Sequence, residues 1–204
     1  HPNVIRHSIR FNAEADSLNS SLLGPDAKPG APEFDLFVRE VHREMTIKAG
    51  HKCTAIRRAF VARALADAVS DAIAARIAKT VVGNPRNETV QMGPIVDKAQ
   101  QKNVLDGIAA LKREARAVTG EGTLALVDAD PAKGAFVAPT LLRCDQPADA
   151  HALHEIEVFG PVSTLMPYDS PDQAFAMAAR GGGSLVASVF TADDGEQGLA
   201  RLEA

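Results

Sequence analysis

Several residue types are scarce in this sequence, and each scarcity argues against a class of protein. There is no tryptophan and only one tyrosine, and aromatic residues make up 4% of the chain, which argues against a surface that stacks nucleic-acid bases. No basic excess exists either, because 22 lysines and arginines are set against 26 aspartates and glutamates, giving a net charge of −4. We therefore expect no nucleic-acid partner.

Cysteine and long apolar runs are also scarce. Two cysteines in 204 residues cannot form a disulfide scaffold or a four-cysteine zinc site. His151 and His154 are three positions apart but have no further ligands nearby, so we expect no metal site. No apolar run reaches the roughly 18 residues of a membrane helix, and the first residues lack the profile of a secretion signal. These features predict a cytoplasmic protein without a membrane partner.

Helical and strand-like patterns alternate along the chain. Apolar residues at helical spacing, and short apolar runs between turn residues, predict both kinds of element. The predicted helices are 34–48, 64–79, 97–113 and 171–179. The predicted strands are 4–11, 55–61, 81–83, 115–118, 124–127, 136–142, 162–168 and 185–191. This alternation predicts a three-layer α/β/α domain with a mostly parallel sheet.

Two stretches do not fit this regular alternation. Residues 12–33 contain Gly24-Pro25 and Pro29-Gly30 and predict a long connecting loop, of a length that is often functional. The last dozen residues begin a helical pattern that is still running where the sequence stops. We therefore interpret residues 1–204 as one domain that is a fragment of a longer polypeptide.

Cys53 is the main candidate for chemistry on the residues alone. In KAGHKCTAIRR it follows a predicted helix end and a glycine, and precedes a predicted strand. Positive charge favours the thiolate, which is the nucleophilic form of cysteine. The flanking cationic or ionisable residues are Lys48, His51, Lys52, Arg57 and Arg58. A small buried residue is the alternative interpretation of Cys53, and we interpret Cys144, with a single arginine beside it, as structural.

Two carboxylates are further candidates. Glu14 follows the first predicted strand, and a carboxylate at a strand end can face a site in an α/β fold. Glu157 precedes Phe159 and a Gly-Pro turn, where a charge and an aromatic ring can contact a polar ring ligand. Ordinary exposed glutamates are the alternative for both. The three glycines at 181–183 predict a tight turn rather than a phosphate loop, because a strand pattern follows them.

Five segments, in order, resemble the aldehyde dehydrogenase superfamily. AGHKCTAIRRAFV resembles its nucleophile segment. Four later stretches resemble the segments that follow it in the family: VVGNP with QMGPIVDKAQ, GAFVAPTLL, EVFGPV and SLVASVFT. EADSLN, RGGGSL and the long connection between Glu14 and Cys53 resemble one branch. That branch acts on CoA-linked semialdehydes in aerobic phenylacetate and benzoyl-CoA breakdown and includes bifunctional ring-opening proteins. The chain departs from the common pattern at 15–17, usually Leu-Gly-Gly, and at His51, usually glutamine.

The resemblance implies the oxidation of an aldehyde, here a CoA-linked semialdehyde. Cys53 would be the nucleophile, its N–H half of the oxyanion hole, and Glu14 the general base that activates water. Glu157 would bind the nicotinamide ribose, with Phe159 beside the ring. The resemblance implies NADP as the acceptor, with NAD as the alternative, and a homo-oligomeric parent enzyme.

Part of the family's pattern is not found in this sequence. The cofactor-binding Rossmann domain, the oxyanion-hole asparagine and the final helices have no counterpart here. We therefore expect the isolated chain to be the catalytic domain alone, inactive and without tight NADP binding.

Two other functions fit the same residues. Cys53 with His51 or His42 would make a cysteine-dependent hydrolase or thioesterase. Alternatively, the chain acts only as a non-catalytic packing module. Ester hydrolysis without a nicotinamide cofactor would favour the first, and a chain with neither activity would favour the second.

Overall fold

The computed structural model describes residues 2–8, 10 and 16–192. Within that part of the chain, six strands form one sheet. They are β1 (Ser20–Leu23), β2 (Arg58–Ala62), β3 (Arg116–Ala117), β4 (Thr140–Arg143), β5 (Val162–Tyr168) and β6 (Ala187–Phe190). Their order across the sheet is β3-β4-β5-β2-β1-β6. All neighbours run parallel except β3, which is antiparallel to β4 at one edge. The predicted mostly parallel sheet is confirmed.

The centre of the sheet is buried on both faces. Every residue of β2 and β5 is buried, and the two strands pair from Arg58 with Thr164 to Ala62 with Tyr168. Strands covered on both faces read as continuous apolar runs rather than alternating ones. The strand at 162–168 is mostly apolar and follows the Gly160-Pro161 turn, which is why it is visible in the sequence at its observed bounds.

Helices cover both faces of the sheet. They are α1 (Pro2–Arg6), α2 (Pro32–Thr46), α3 (Ala66–Ile77), α4 (Lys98–Leu111), α5 (Ala152–Glu155) and α6 (Pro171–Ala179). Helices α2 and α3 pack on each other and on the strands, whereas α6 packs on β2 and β5. The connections from β1 to β2 and from β5 to β6 cross the sheet in opposite directions, so right-handed crossovers place α2 and α6 on opposite faces. The three-layer α/β/α prediction is confirmed.

Local capping explains where two of these helices begin. Asp97 accepts a hydrogen bond from the Gln100 N–H at 2.7 Å, which satisfies a free donor at the start of α4. Ser170 does the same for the Gln173 N–H at 3.2 Å before α6, whose first residue is a proline.

Strand β1 corrects the prediction of one long connection over 12–33. Ser20–Leu23 lies between β2 and β6 with all four residues buried. Serine is a poor marker of a buried strand, but the Ser21 and Ser188 hydroxyls hydrogen-bond each other at 2.9 Å, so burial leaves neither unsatisfied. Residues 12–15 lie outside the described residues.

Three other predicted strands are wrong. Residues 81–83 form only isolated bridges, Val82 with Met92 and Gly83 with Val127. Residues 4–6 of the segment taken as a strand over 4–11 belong to α1, whose Ile5 is 82% exposed, while positions 9 and 11 lie outside the described residues. The segment 124–127 contributes only one bridge, between Gly83 and Val127. An apolar run becomes a strand only where a neighbouring strand accepts its hydrogen bonds.

Candidate active site

The segments that surround Cys53 lie at the amino ends of the parallel strands. Residues 16–19, 50–57, 157–161 and 184–186 precede β1, β2, β5 and β6, respectively. Because parallel strands begin at the same edge of a sheet, these four segments meet there. The sequence pattern placed Glu14 after a predicted strand, and so at the carboxyl ends of the strands. Position 14 instead precedes β1 in the sequence, and it lies outside the described residues.

Cys53 occupies an exposed position on a tight turn. The turn is closed by a hydrogen bond from the Ala55 N–H to the Lys52 carbonyl at 3.1 Å. The Cys53 carbonyl accepts a hydrogen bond from the Asn19 side chain at 2.7 Å. The thiol is therefore open to solvent while its backbone is anchored to the protein. This arrangement suits a nucleophile better than a small buried core residue, which is the role Cys144 takes.

A buried ion pair lies beneath this turn. Arg57 donates from Nε to Oε1 of Glu157 at 3.3 Å, and the backbone N–H of Ser17 donates to Oε2 at 2.9 Å. The Arg57 guanidinium also donates to the carbonyls of Gly160 at 2.8 Å and Gly50 at 2.9 Å. Burial lowers the pKa of Arg57, while the Glu157 carboxylate acts in the opposite direction.

The two loops joined by Arg57 touch each other at glycines. Gly50 has φ +72°, and a Cβ built on it would lie 2.0 Å from the Gly160 carbonyl oxygen. Only glycine allows both this backbone conformation and this close approach. The contact places the segment before Cys53 directly against the segment that follows Glu157.

Phe159 brings an aromatic surface to the same place. Its ring centroid lies 5.2 Å from the Arg57 guanidinium carbon and 5.3 Å from the His51 ring. The His51 Nε2 atom is buried and has no hydrogen-bond partner. Desolvation by burial, and secondly the charge of Arg57, lower the pKa of His51 and so favour the neutral imidazole.

Two of the cations that flank Cys53 in the sequence are paired with carboxylates. Lys52 Nζ contacts both carboxylate oxygens of Glu44, at 2.7 and 2.8 Å. Arg57 is paired with Glu157, as described above. Proximity in sequence therefore overstated the positive charge available to the thiol.

Arg58 holds together the surroundings of β1 and α6. Its guanidinium is buried and donates to the carbonyls of Leu18, Met177 and Ala178 and to Nδ1 of His154. Burial, and secondly Arg180, lower its pKa to about 10. A Cβ on Gly181 would lie 2.0 Å from the guanidinium, so the predicted glycine turn also makes room for Arg58.

Cys144 is buried at the end of β4. Burial raises the pKa of its thiol, which disfavours the reactive thiolate. Across 2–8, 10 and 16–192, no group of three or more histidine, cysteine, aspartate or glutamate side chains is arranged to hold a metal ion. In the same residues, no helix has the length and apolar character needed to cross a membrane.

The structure brings three of the four candidate residues together and adds three that the sequence did not single out for the site. Cys53, Glu157 and Phe159 lie in one connected region, while Glu14 is outside the described residues. The additions are Ser17, Asn19 and Arg57 as a partner of Glu157. Polar residues directly before two buried strands were the only signal for them. The contacts of Asn19 with Cys53 and of Ser17 with Glu157 span 34 and 140 positions, which local patterns do not indicate.

Comparisons with known proteins agree with this fold. The sequence profile of the Aldehyde dehydrogenase family matches residues 10–201. The chain is 53% identical, over 194 residues and 95% of its length, to 3,4-dehydroadipyl-CoA semialdehyde dehydrogenase from Aromatoleum evansii.

Two solved structures are similar in fold. Gamma-glutamyl-gamma-aminobutyraldehyde dehydrogenase from Burkholderia cenocepacia has a TM-score of 0.78 and 30% identity over 92% of the chain. A mutant of aldehyde dehydrogenase C from Pseudomonas syringae, solved with NAD+ and octanal, has a TM-score of 0.76 and 28% identity over 92% of the chain.

The chain spans a little over a third of each of these proteins. It covers 38% of the Aromatoleum enzyme and 36% of each solved structure. The profile match nevertheless extends over most of the sequence, and the motifs, the sheet order and the exposed cysteine agree with it. The chain belongs to the aldehyde dehydrogenase family.

Proposed function

We propose that this chain carries the nucleophile of an NAD(P)-dependent aldehyde dehydrogenase. The observation that carries the proposal is the exposed Cys53 on an anchored turn, within a chain of this family. An exposed thiol can reach a substrate, and the anchored backbone keeps its position constant between encounters. Both properties are needed for covalent catalysis.

The reaction proceeds in two stages on Cys53. The thiolate attacks the aldehyde carbon, and a bond forms between sulfur and carbon to give a thiohemiacetal. NAD(P)+ supplies the acceptor for the hydride that leaves this carbon, which converts the thiohemiacetal into a thioester. Water then attacks the thioester, releases the acid and restores the thiol. The Cys53 N–H stabilises the oxyanion, a contribution of about 3 kcal/mol for one donor.

Glu14 is proposed as the general base for the second stage. A carboxylate near the thioester removes the proton from the attacking water. The proposal rests on the position of Glu14 in EADSLN, shortly before the Ser17 N–H that holds Glu157. Glu14→Gln in the full-length protein is expected to keep the first burst of hydride transfer and to stop turnover.

Glu157 and Phe159 are the residues that would hold the nicotinamide nucleoside. Each oxygen of Glu157 accepts one hydrogen bond in the structure, and a carboxylate oxygen has room for a second. Its remaining lone pairs can accept ribose hydroxyls beside Arg57 and Ser17, and because the Glu157 side chain is 5% exposed, ribose binding requires the adjoining segments to move apart. The half-buried ring of Phe159 lies beside this carboxylate and offers a flat apolar contact. These features are compatible with a nicotinamide ribose.

The proposed substrate is a semialdehyde attached to coenzyme A, with NADP+ as the acceptor. The support for the substrate is the 53% identity to an enzyme named for such a compound. In the full-length protein, 3,4-dehydroadipyl-CoA semialdehyde should be oxidised with a kcat/KM well above that of the same semialdehyde without the CoA group. Equal values for the two would refute the CoA preference.

The structure gives no support to the hydrolase alternative. His42 Nε2 is engaged with the Thr80 hydroxyl at 2.8 Å, and the His51 ring lies against Phe159. Neither has a hydrogen bond to Cys53 in the structure, as a nucleophile and its base would require. Cofactor-independent ester hydrolysis that is lost on replacement of His51 would revive this alternative.

The central test is single-turnover reduction of NADP+ by the full-length protein. Cys53→Ala should abolish the burst, because no covalent adduct can form. Cys144→Ala is the matched control and should retain it, since that thiol is buried away from the turn. Hydride transfer at the normal rate in Cys53→Ala would refute the assignment.

The 204-residue chain by itself is proposed to bind NADP+ weakly. Its contacts to the cofactor would be limited to the nicotinamide end, at Glu157 and Phe159. Calorimetric titration of this chain with NADP+ should show no saturable heat at micromolar concentrations. A micromolar dissociation constant would contradict the proposal and show that the chain holds a complete cofactor site.

A further inference from the structure

We propose that Asn19 is a positioning residue for Cys53. Its amide fixes the backbone at the nucleophile and links the turn to the segments before β1 and β6. The inference rests on the proposed role of Cys53 and adds the residue that holds it in place.

The Asn19 side chain uses its full hydrogen-bonding capacity on its donor side. Asn19 is 0% exposed. Nδ2 donates to the Cys53 carbonyl at 2.7 Å and to the Ala55 carbonyl at 3.0 Å. Both N–H bonds of the amide are therefore directed at the Cys53 turn.

The acceptor side of the same amide faces two other segments. Oδ1 accepts from the Ser17 hydroxyl at 2.6 Å and from the backbone N–H groups of Leu185 at 3.1 Å and Val186 at 3.0 Å. Backbone N–H groups only donate and carbonyls only accept, so the orientation of the amide is determined by its partners. A rotation by 180° would set like groups against each other at four contacts.

The contacts fix the peptide groups on both sides of the Cys53 α-carbon. Asn19 holds the Cys53 carbonyl, and the Lys52 carbonyl accepts from Ala55 N at 3.1 Å and from Arg57 Nη2 at 3.4 Å. Since a peptide group is planar, the direction of one carbonyl sets the direction of the N–H in the same plane. These contacts thereby orient the Cys53 N–H, which is the proposed oxyanion donor. They also orient the Cα–Cβ bond that carries the thiol.

Asn19 also connects Cys53 to the proposed cofactor contact. The Ser17 hydroxyl donates to Asn19, and the Ser17 N–H donates to Glu157. Residues 17–19 thus bridge the nucleophile and the carboxylate. A shift of this short segment would change the distance between thiol and nicotinamide, and a displacement of about 1 Å can reduce a reaction rate about 100-fold.

Asn19→Asp is the sharpest variant because it preserves shape and all three contacts at Oδ1. It loses both donations to the Cys53 turn and sets an oxygen against two carbonyls. In the full-length protein at pH 8, kcat should fall at least about tenfold while KM for the aldehyde stays within about twofold. The loss of kcat in Asn19→Asp should become smaller as pH is lowered, since the protonated aspartic acid at position 19 donates one hydrogen bond to a carbonyl.

Ser21→Ala is the matched control. Ser21 is also 0% exposed, lies two positions away and loses one hydroxyl contact, to Ser188, without touching the Cys53 turn. Its kcat and KM should stay within about twofold of the unaltered protein, because the change is comparable in burial but distant from the turn. A role confined to folding would lower the free energy of unfolding of Asn19→Asp but leave the kcat of its folded fraction close to that of Ser21→Ala.

A second readout does not depend on activity. The chain has two cysteines, so ¹³C labelling of cysteine carbonyls gives two NMR signals, with Cys144 as the internal reference. Loss of the Asn19 donation should move the Cys53 signal and leave that of Cys144 in place. If Asn19→Asp fails to fold, Ser17→Ala provides the test, because it removes one contact to Oδ1 and should give a smaller shift and a smaller loss in kcat.

The results separate this inference from the proposed function. An unchanged Cys53 carbonyl signal, or a normal kcat in Asn19→Asp when Cys53→Ala is inactive, overturns the positioning role alone. A normal burst in Cys53→Ala overturns the proposed function, and the carbonyl signal then still decides whether Asn19 holds the turn.

Discussion

Arg57 and Glu157 form an ion pair from which water is almost completely excluded. The Nε to Oε1 distance is 3.3 Å, and the two side chains are 4% and 5% exposed. Removing one member of such a pair leaves the other charge buried without its counter-charge. Arg57 lies directly before β2, and Glu157 lies in the loop before β5. Loss of the pair therefore loosens both segments.

Replacing Glu157 should therefore destabilise the fold as well as the site. Glu157→Ala is expected to lower the free energy of unfolding by about 3 kcal/mol, because Arg57 keeps only carbonyl acceptors. Glu157→Gln should cost about half as much, since its amide oxygen still accepts a hydrogen bond. Urea denaturation of the 204-residue chain measures both. Equal stabilities for the two variants and the unaltered chain would show that the pair contributes nothing.

Arg58 is expected to be more important for stability than any exposed arginine. Arg58→Met removes the buried guanidinium's hydrogen bonds to the carbonyls of Leu18, Met177 and Ala178 and to His154 Nδ1, which should cost about 3 kcal/mol. Arg63→Met is the control, because that exposed side chain is paired with Asp169 in solvent and should hardly change the unfolding midpoint. Similar midpoints for the two variants would contradict the role of Arg58.

Glycine at position 50 should be irreplaceable, whereas glycine at position 30 should not be. Both have positive φ, +72° and +92°, so alanine adds backbone strain of about 1 kcal/mol at each. Only at Gly50 does the new Cβ collide with a carbonyl, that of Gly160, at 2.0 Å, while nothing lies within 4 Å of it at Gly30. Gly50→Ala should thus unfold at clearly lower urea than Gly30→Ala. Matching midpoints would mean that the two loops can separate at little cost.

The chain should lose stability in acid, in part through His154. Its Nδ1 accepts from Arg58 at 3.1 Å and its Nε2 contacts the Pro147 carbonyl at 2.9 Å, so the buried ring is neutral. Desolvation first, then the charges of Arg180 and Arg58, lower its pKa below 6.5. The unfolded state therefore binds the proton first, and the free energy of unfolding falls as pH drops through about 6.5.

Denaturation curves between pH 7.5 and 5 test this expectation. His154→Gln should reduce the slope of the free energy of unfolding against pH by up to about 1.4 kcal/mol per pH unit, which is the value for one proton. Part of the slope should remain, because burial also lowers the pKa of His42 and His51. His151→Gln replaces an exposed ring and serves as control. An unaltered slope in His154→Gln would exclude this residue as a source of acid sensitivity.

The two cysteines should differ sharply in reactivity. Cys53 is exposed, whereas burial shields Cys144 and raises the pKa of its thiol. Iodoacetamide at pH 8 should modify Cys53 at least about tenfold faster, as read by mass spectrometry of peptides, because the thiolate is the reacting form. In denaturing urea the difference should disappear. Faster modification of Cys144 in the folded chain would contradict the described burial.

The sequence predicted the elements that have strong local patterns. Strand β5 and helix α6 were located at their observed bounds, because a Gly-Pro turn precedes the mostly apolar strand and Ser170 and Pro171 mark the start of the helix. Strand β1 was missed, since Ser20–Leu23 is short and half serine. Its stability comes from two neighbouring strands whose residues lie far away in the sequence.

The candidate site was predictable for single residues but not for their connections. Cys53, Glu157 and Phe159 were named from motifs, and the structure places them in one region. The pair of Arg57 with Glu157 spans 100 positions, and the contact of Asn19 with Val186 spans 167. Neither has a local signature, because both depend on which strands begin side by side at one edge of the sheet.

The distance in sequence between Asn19 and Val186 sets an order of events during synthesis. The Oδ1 atom of Asn19 lacks two of its three donors until residues 185 and 186 have left the ribosome. Strand β6 must then dock beside β1, a non-local step of the kind that slows folding. The hydrogen bonds that fix the Asn19 amide are thus incomplete until residues 185 and 186 are made, and the turn at Cys53 lacks this support until then.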